Sequence, residues 1–262
     1  MGSLSNKVAF ITGSASGIGK AIAECYAKEG AKVAIADLKL EQAEAVAKEI
    51  AETYHTQAIG VAVDVSDKDH VYAAIDQTVK ELGSLDIVNA NAGIQIIKSI
   101  VDFDYAEFKK LVDIHLGGSF LTAQAGMKQM IQRKIPGRII ITGSVHSFEA
   151  SLNKSAYVSA KHGLLGLTRA IAKEGAPYGI TANLIAPGFV YTHLVEKQIP
   201  EQAQTLGITP EEVVNNIMLG QTVDKKFTTV EDVALASLFF ASFPSTALSG
   251  QSLIISHGWF MS

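Results

Sequence analysis

With 262 residues, 48% hydrophobic and 18% charged, the chain is long enough for a single domain over residues 1–262 that buries most of its apolar surface. A net charge of −4 offers no electrostatic case for nucleic acid or an anionic membrane as partner, and no apolar run approaches the ~20 residues that span a bilayer. The opening MGSLSNKVAFITG enters a strand almost at once, which leaves no room for a signal peptide and, with one cysteine (Cys25), sets a cytoplasmic, reducing location as the default.

The elements alternate in chain order. An apolar strand over 8–12 precedes a helix over 18–29 with Ala21, Ile22, Cys25 and Tyr26 on one face. A strand at 33–37, an alanine- and charge-rich helix at 41–52 and a strand at 58–63 follow. Ser66 and Asp69 have the spacing of a capping box for the next helix. Strands at 85–89 and 138–142 flank a long helix around 108–132. A helix at 155–174 leads to a strand at 181–186. Thr229 and Asp232 cap a helix ending near Ser242, and 253–256 form the last strand. This alternation demands an α/β fold: a Rossmann-type, doubly wound parallel sheet of about seven strands with helices on both faces. The continuously apolar VAFI, RIII and NLIA suit strands covered on both sides. Residues 192–226 break the rhythm; more polar and holding Pro200 and Pro210, they read as a helical substrate lid over the carboxyl edge of the sheet.

Two constellations carry chemistry. Between the first strand and the first helix lies Thr12-Gly13-Ser14-Ala15-Ser16-Gly17-Ile18-Gly19. Its glycines allow a tight turn and close backbone approach, and a helix N-terminus aims free N–H groups at a diphosphate. Asp37, about 20 residues on at the end of the second strand, stands where a carboxylate accepts from both adenosine ribose hydroxyls. It would repel a 2′-phosphate, no arginine in the turn offsets that, and Lys39 reads as a solvated loop lysine; NAD is the expected cofactor. Asp64 and Val65 end the third strand, either at the adenine edge or, for Asp64, as a turn residue. The second constellation is Tyr157 and Lys161, one helical turn apart on one face, with Ser144 thirteen residues upstream. A phenol and an ammonium so placed can move a proton to or from an alcohol. Together the two imply a nicotinamide-dependent oxidoreductase of a secondary alcohol or ketone. One cysteine, seven scattered histidines and no His-Glu-x-x-His string give no metal site.

The strings TGSASGIG, ANAG at 90–93, Ser144, Tyr157-x-x-x-Lys161 and Pro187-Gly188 followed by Thr192 resemble the short-chain dehydrogenase/reductase family over the whole chain. The resemblance implies that Tyr157 takes and returns the alcohol proton, Lys161 holds the nicotinamide ribose, and Ser144 hydrogen-bonds the reacting oxygen. A free phenol, with a pKa near 10, is a poor base at neutral pH; the Lys161 ammonium and a positive nicotinamide ring are expected to favour tyrosinate. Asn91, beside Gly93, is implied over the cofactor. Residues 185–192, with Pro187 and Val190, are implied along the nicotinamide, the Thr192 hydroxyl reaching its carboxamide. A homotetramer built through the long helices is the implied assembly. Two departures stand out. In DIHLGGSF, His115 occupies the place of the family's usual asparagine; with a pKa near 6.5, an imidazole there could bind water and relay a proton. Near the C-terminus the common Asp-Gly-Gly is Ser256-His257-Gly258.

Further strings, NAGIQ at 91–95, SVHS around His146, NKSAY at 153–157 and HLVEKQI at 193–199, are similar to bacterial D-3-hydroxybutyrate dehydrogenases. That similarity implies a clamp of Gln95, His146, Lys154 and Gln198 around a substrate carboxylate, with Lys154 the charge and Gln198 arriving on the lid. Trp259 either walls the methyl end of the substrate or packs a subunit edge. The expected reaction is NAD-dependent interconversion of (R)-3-hydroxybutyrate and acetoacetate, the partner being a small hydroxy acid. The alternatives are a reductase of a neutral or carrier-bound ketone, such as a 3-oxoacyl thioester, and a non-catalytic NAD-binding protein.

Overall fold

Strands covered on both faces must be apolar at every position, and β1 (Val8–Thr12), β4 (Ile87–Ala90) and β6 (Thr181–Pro187) are buried along their whole length. A computed structural model describes residues 2–261. With β2 (Lys32–Asp37), β3 (Ala58–Ala62), β5 (Arg138–Thr142) and β7 (Ser252–Ile255), these strands form one seven-stranded sheet in the order β3-β2-β1-β4-β5-β6-β7. Every pairing is parallel. The order reverses between β1 and β4, and a doubly wound sheet opens its ligand crevice at such a point.

Helices cover both faces. Helix α1 (Gly17–Lys28), α2 (Leu40–Tyr54) and α9 (Val230–Ser242) pack Ile22, Tyr26, Ile50 and Phe240 on Ile11, Ile35 and Ile140. On the opposite face α3 (Lys68–Leu82), α5 (Gly118–Arg133) and α6 (Ser155–Gly175) bring Ile75, Met130 and Leu164 against Phe10, Val88 and Ile141. Cys25, on the partly covered side of α1, is half-buried, and burial pushes its thiol up. Among the described residues no helix is long and apolar enough to cross a membrane.

Three elements differ from their sequence expectation. Helix α3 is capped by Asp67, whose carboxylate accepts from the Asp69 and His70 N–H groups, and not by Ser66. The Ser66 hydroxyl donates instead to Asp64 at 2.6 Å, a competing local bond that removes it from the cap. The fourth strand lies at Ile87–Ala90 rather than 85–89. The long helix is three pieces: α4 (Tyr105–Val112), one wide π turn at Asp113–Gly117 and α5. The lid leaves β6 at Thr192, whose side chain caps α7 (His193–Leu206). It continues through the short α8 (Pro210–Glu212) into a π turn at Val213–Met218. Phe189, Val195, Val213 and Met218 give it a small apolar cluster of its own. Thr228 returns it to the sheet, its N–H donating to the Phe189 carbonyl and its hydroxyl to that of Ile255.

Candidate active site

A cleft of about 540 Å³ opens over the carboxyl ends of the strands. At one end the turn after β1 places Gly13 at φ +64 and Gly17 at φ +54, conformations that favour glycine. Ser16 precedes α1 in extended conformation and makes no side-chain cap bond, so the first N–H groups of that helix stay open. In contrast α3, α4, α7 and α9 are capped by Asp67, Asp104, Thr192 and Thr229. An uncapped, positive helix end beside a glycine turn fits a diphosphate. Asp37 Oδ2 accepts from the Ala15 N–H at 3.0 Å and Oδ1 from the Leu38 N–H at 2.8 Å, which fixes the carboxylate at the cleft wall. Its remaining lone pairs fit ribose hydroxyls.

Asp64 lines the same wall beside Val65 while accepting from the Ser66 N–H at 2.9 Å, so it is also a turn residue. The Asn91 amide reaches the carbonyls of Thr12 and Gly13 at 3.0 and 3.2 Å, tying the end of β4 to the turn. Gly19 does not line the cleft: it lies behind the turn, against the Gly13 carbonyl and the Asn91 amide. Ile18, Gly93, Pro187, Val190 and Thr192 do line it. The Thr192 hydroxyl accepts from the Val195 N–H at 3.5 Å, leaving its own proton free to donate.

Farther along, Tyr157 and Lys161 project from the first two turns of α6, the ammonium 5.4 Å from the ring centroid. Lys161 Nζ donates to the Thr142 carbonyl at 2.7 Å, and burial lowers its pKa to about 7. Burial pushes the Tyr157 phenol up to about 12, and the Ser144 hydroxyl beside it pulls the other way. The expected acidification by Lys161 is therefore not a property of the protein alone. The desolvation of the phenol dominates and outweighs the Ser144 hydrogen bond. Ser144, in extended backbone, donates from Oγ to the Pro187 carbonyl at 3.4 Å.

His115 sits in the π turn, its ring edge-on to Tyr157 at 5.3 Å. Its Nε2 lies 2.7 Å from the Ile94 carbonyl and 3.1 Å from the Ile94 N–H. The ring occupies the space over Gly93, where a Cβ would stand 2.8 Å from Nδ1. Burial, aided by the Lys161 charge, lowers its pKa to about 3. This corrects the expectation of a value near 6.5: His115 is neutral at working pH and carries no proton as an imidazolium.

At the lid end His146 stands edge-on between Tyr157 and Trp259, at 5.8 and 5.3 Å. Burial and the neighbouring Lys154 charge lower it to about 3. Lys154 is 4% exposed, its Nζ 4.8 Å above the Phe189 ring. Burial alone lowers its pKa, to about 8; among the described residues no carboxylate pairs with it. Phe189 stacks on Trp259 at 4.9 Å. Gln198 is buried on α7 and Gln95 follows the β4 loop; both line the cleft with Lys154. Gln95 Nε2, His146 Nδ1 and Trp259 Nε1 are buried without a hydrogen-bond partner. Leu38, Ile114, His193 and Lys197 also line the cleft. The last two were readable in principle, being one turn apart on the helix that Thr192 caps.

The chain is similar to known proteins along almost all its length. The family described as short chain dehydrogenase matches residues 7–203. The D-beta-hydroxybutyrate dehydrogenase of Rhizobium meliloti is 39% identical over 254 residues, 97% of this chain and 98% of that one. The corresponding protein of Cupriavidus necator is 34% identical over 257 residues, 98% of each chain. The 3-oxoacyl-[acyl-carrier-protein] reductase of Aquifex aeolicus is 32% identical over 257 residues, also 98% of each. A short-chain dehydrogenase/reductase of Mycobacterium marinum superposes with a TM-score of 0.88 at 32% identity, covering 99% of this chain and 97% of its own.

Proposed function

The chain belongs to the short-chain dehydrogenases, and from that premise we propose that it is an NAD-dependent dehydrogenase interconverting (R)-3-hydroxybutyrate and acetoacetate. The observation that carries the reading is Lys154. An ammonium taken out of water with no carboxylate partner is costly. Its pKa of about 8 keeps it mostly protonated at neutral pH, a few side chains from Tyr157 in the same cleft. An anionic substrate supplies the missing counter-charge. Gln95, His146 and Gln198 stand around it as neutral hydrogen-bonding groups, and the Phe189–Trp259 stack leaves an apolar wall for a short alkyl end.

The bound dinucleotide supplies a hydride acceptor at its nicotinamide ring. This chain's residues do the rest. The open N-terminus of α1 and the glycine turn would hold the diphosphate, and Asp37 would hold the ribose and disfavour a 2′-phosphate, which supports NAD over NADP. Asp64 and Val65 would meet the adenine; Asn91 braces the turn. Ser144 donates to the reacting oxygen while Tyr157 Oη removes its proton. With an oxidised nicotinamide bound, the Tyr157 phenol would titrate below the value of about 12 that burial, opposed by Ser144, gives it in the protein alone. Lys161, fixed by the Thr142 carbonyl, would bind the second ribose. His115 holds the Ile94 backbone, and through it Gln95, in place. A reductase of uncharged or carrier-bound ketones, as one relative is named, leaves Lys154 without a partner.

We also propose a homotetramer. The exposed Leu235 and Phe239 of α9, beside the half-covered edge strand β7, support a subunit contact there. The activity test follows NADH absorbance with (R)-3-hydroxybutyrate, 3-hydroxyvalerate and a neutral secondary alcohol. Efficient turnover of the acids over the alcohol is expected; equal turnover of the neutral alcohol sinks the reading.

A further inference from the structure

The triplet Ser256-His257-Gly258 has no part in the chemistry above, yet it is bound to the lid. The His257 Nδ1–H donates to Asp224 Oδ2 at 2.8 Å, and this bond holds the Asp224 carboxyl below its usual range. The Val223 N–H donates to the His257 carbonyl at 2.9 Å. Gly258 lies so near Val223 that a Cβ there would stand 2.9 Å from Cγ1. His257 itself has φ +50, a left-handed conformation that costs a β-carbon-bearing residue and suits glycine. An imidazole at such a position is strained, and its hydrogen bond to the Asp224 carboxylate is what it gains.

The same turn carries Trp259. The Trp259 N–H donates to the Ser256 carbonyl at 3.0 Å, and Ser256 Oγ accepts from the Phe260 N–H at 3.3 Å. The coiled tail brings the indole over Gly188 and onto Phe189. The two ends of the lid are thus held differently. Its exit, residues 223–228, is bonded to the C-terminal turn and to Phe189 and Ile255, whereas its start rests on the Thr192 cap of α7.

We propose that His257 is a positioning residue: by clasping Asp224 it locks the lid exit to the C-terminal turn, and so sets Trp259 against the substrate end of the cleft. Its kinetic consequence rests on the substrate reading above; the clasp does not depend on what the substrate is.

Two internal reporters test it in the full-length protein. Trp259 is the only tryptophan, and the exposed Lys225 and Lys226 adjoin Asp224 as tryptic sites. In Asp224→Ala and His257→Gly, cleavage after Lys225 and Lys226 should accelerate about tenfold, the scale of one partly exposed charge-assisted bond. Trp259 emission should move to the red. KM for 3-hydroxybutyrate should rise while kcat and NADH affinity stay near wild type. His257→Asn tolerates the left-handed backbone and keeps an amide donor, so it should retain wild-type cleavage and emission. Wild-type cleavage and emission in both disrupted variants overturns the proposal, and so does faster cleavage spread evenly along the chain. Should Asp224→Ala not fold, Asp224→Asn, which keeps an acceptor oxygen without the charge, takes its place: intermediate cleavage supports the clasp and wild-type cleavage overturns it. A red shift with local cleavage, in a protein that leaves 3-hydroxybutyrate untouched, refutes the substrate reading and upholds the clasp.

Discussion

The two ends of the cleft are built on opposite principles. The glycine-turn end is made of backbone: open N–H groups, left-handed glycines and one carboxylate held by two amide donors. The lid end is made of side chains removed from water. Lys154, Lys161, His115 and His146 are all nearly fully buried, and each has its charged form disfavoured. A backbone site is inexpensive to fold and recognises what all dinucleotides share. A buried cationic site is a cost to the fold that a ligand of opposite charge would relieve.

That contrast can be broken experimentally. Tyr157→Phe should leave dinucleotide affinity intact and lower kcat by about 10²- to 10⁴-fold, the usual worth of a positioned proton carrier. Equilibrium NADH binding beside steady-state rates decides it, and a parallel loss of binding would erase the division between the ends. Lys154→Ala should raise KM for a hydroxy acid by about 10- to 100-fold and leave KM for a neutral alcohol unchanged; similar shifts for both would exclude a carboxylate clamp. Lys154→Met should stabilise the protein while weakening it as an enzyme. The depression from 10.5 to about 8 corresponds to about 3 kcal/mol in the charged form, readable by denaturant titration. At the other end, Asp37→Ala should narrow the NAD-over-NADP preference by about tenfold, with an unaltered ratio counting against a ribose contact.

Titration probes the lid end as a whole. His115 and His146 have folded pKa values near 3, below the 6.5 of the unfolded chain. Between those values the unfolded state binds more protons, so stability is full above pH 6.5 and falls as pH drops through that window. Each contributes about 1.4 kcal/mol per pH unit. Lys161 and Lys154 act in the same direction at higher pH, since folded values near 7 and 8 lie below 10.5. Stability should therefore keep rising from pH 7 towards 10. A thermal midpoint flat from pH 5 to 9 would contradict the burial of all four.

Much of this was legible in the residues, and what was not has physical reasons. Parallel strands covered twice announce themselves as apolar runs, which is why VAFI, RIII and NLIA fell where the strands are. The Thr229–Asp232 box was read correctly because its bonds are local. Ser66 has the spacing of a cap but not the role, because the Asp67 carboxylate accepts the first N–H groups of α3 while the Ser66 hydroxyl donates to Asp64. The π turn at His115 has no periodic signature. The spacing of Tyr157 and Lys161 gave their proximity but not their protonation, since that depends on how much water the finished fold removes. The Asp224–His257 bond joins residues 33 apart that no local pattern links.

Cys25 has a practical consequence. It is the sole sulfhydryl, half-covered in α1 and held protonated by its apolar surroundings. A cysteine engineered onto the outer side of α7 would outcompete it for maleimide at neutral pH, giving single-site labelling without first removing the native one. Distance measurements by paired dyes or spin labels across the covering segment thus need only one added handle per position, with the natural background slowed.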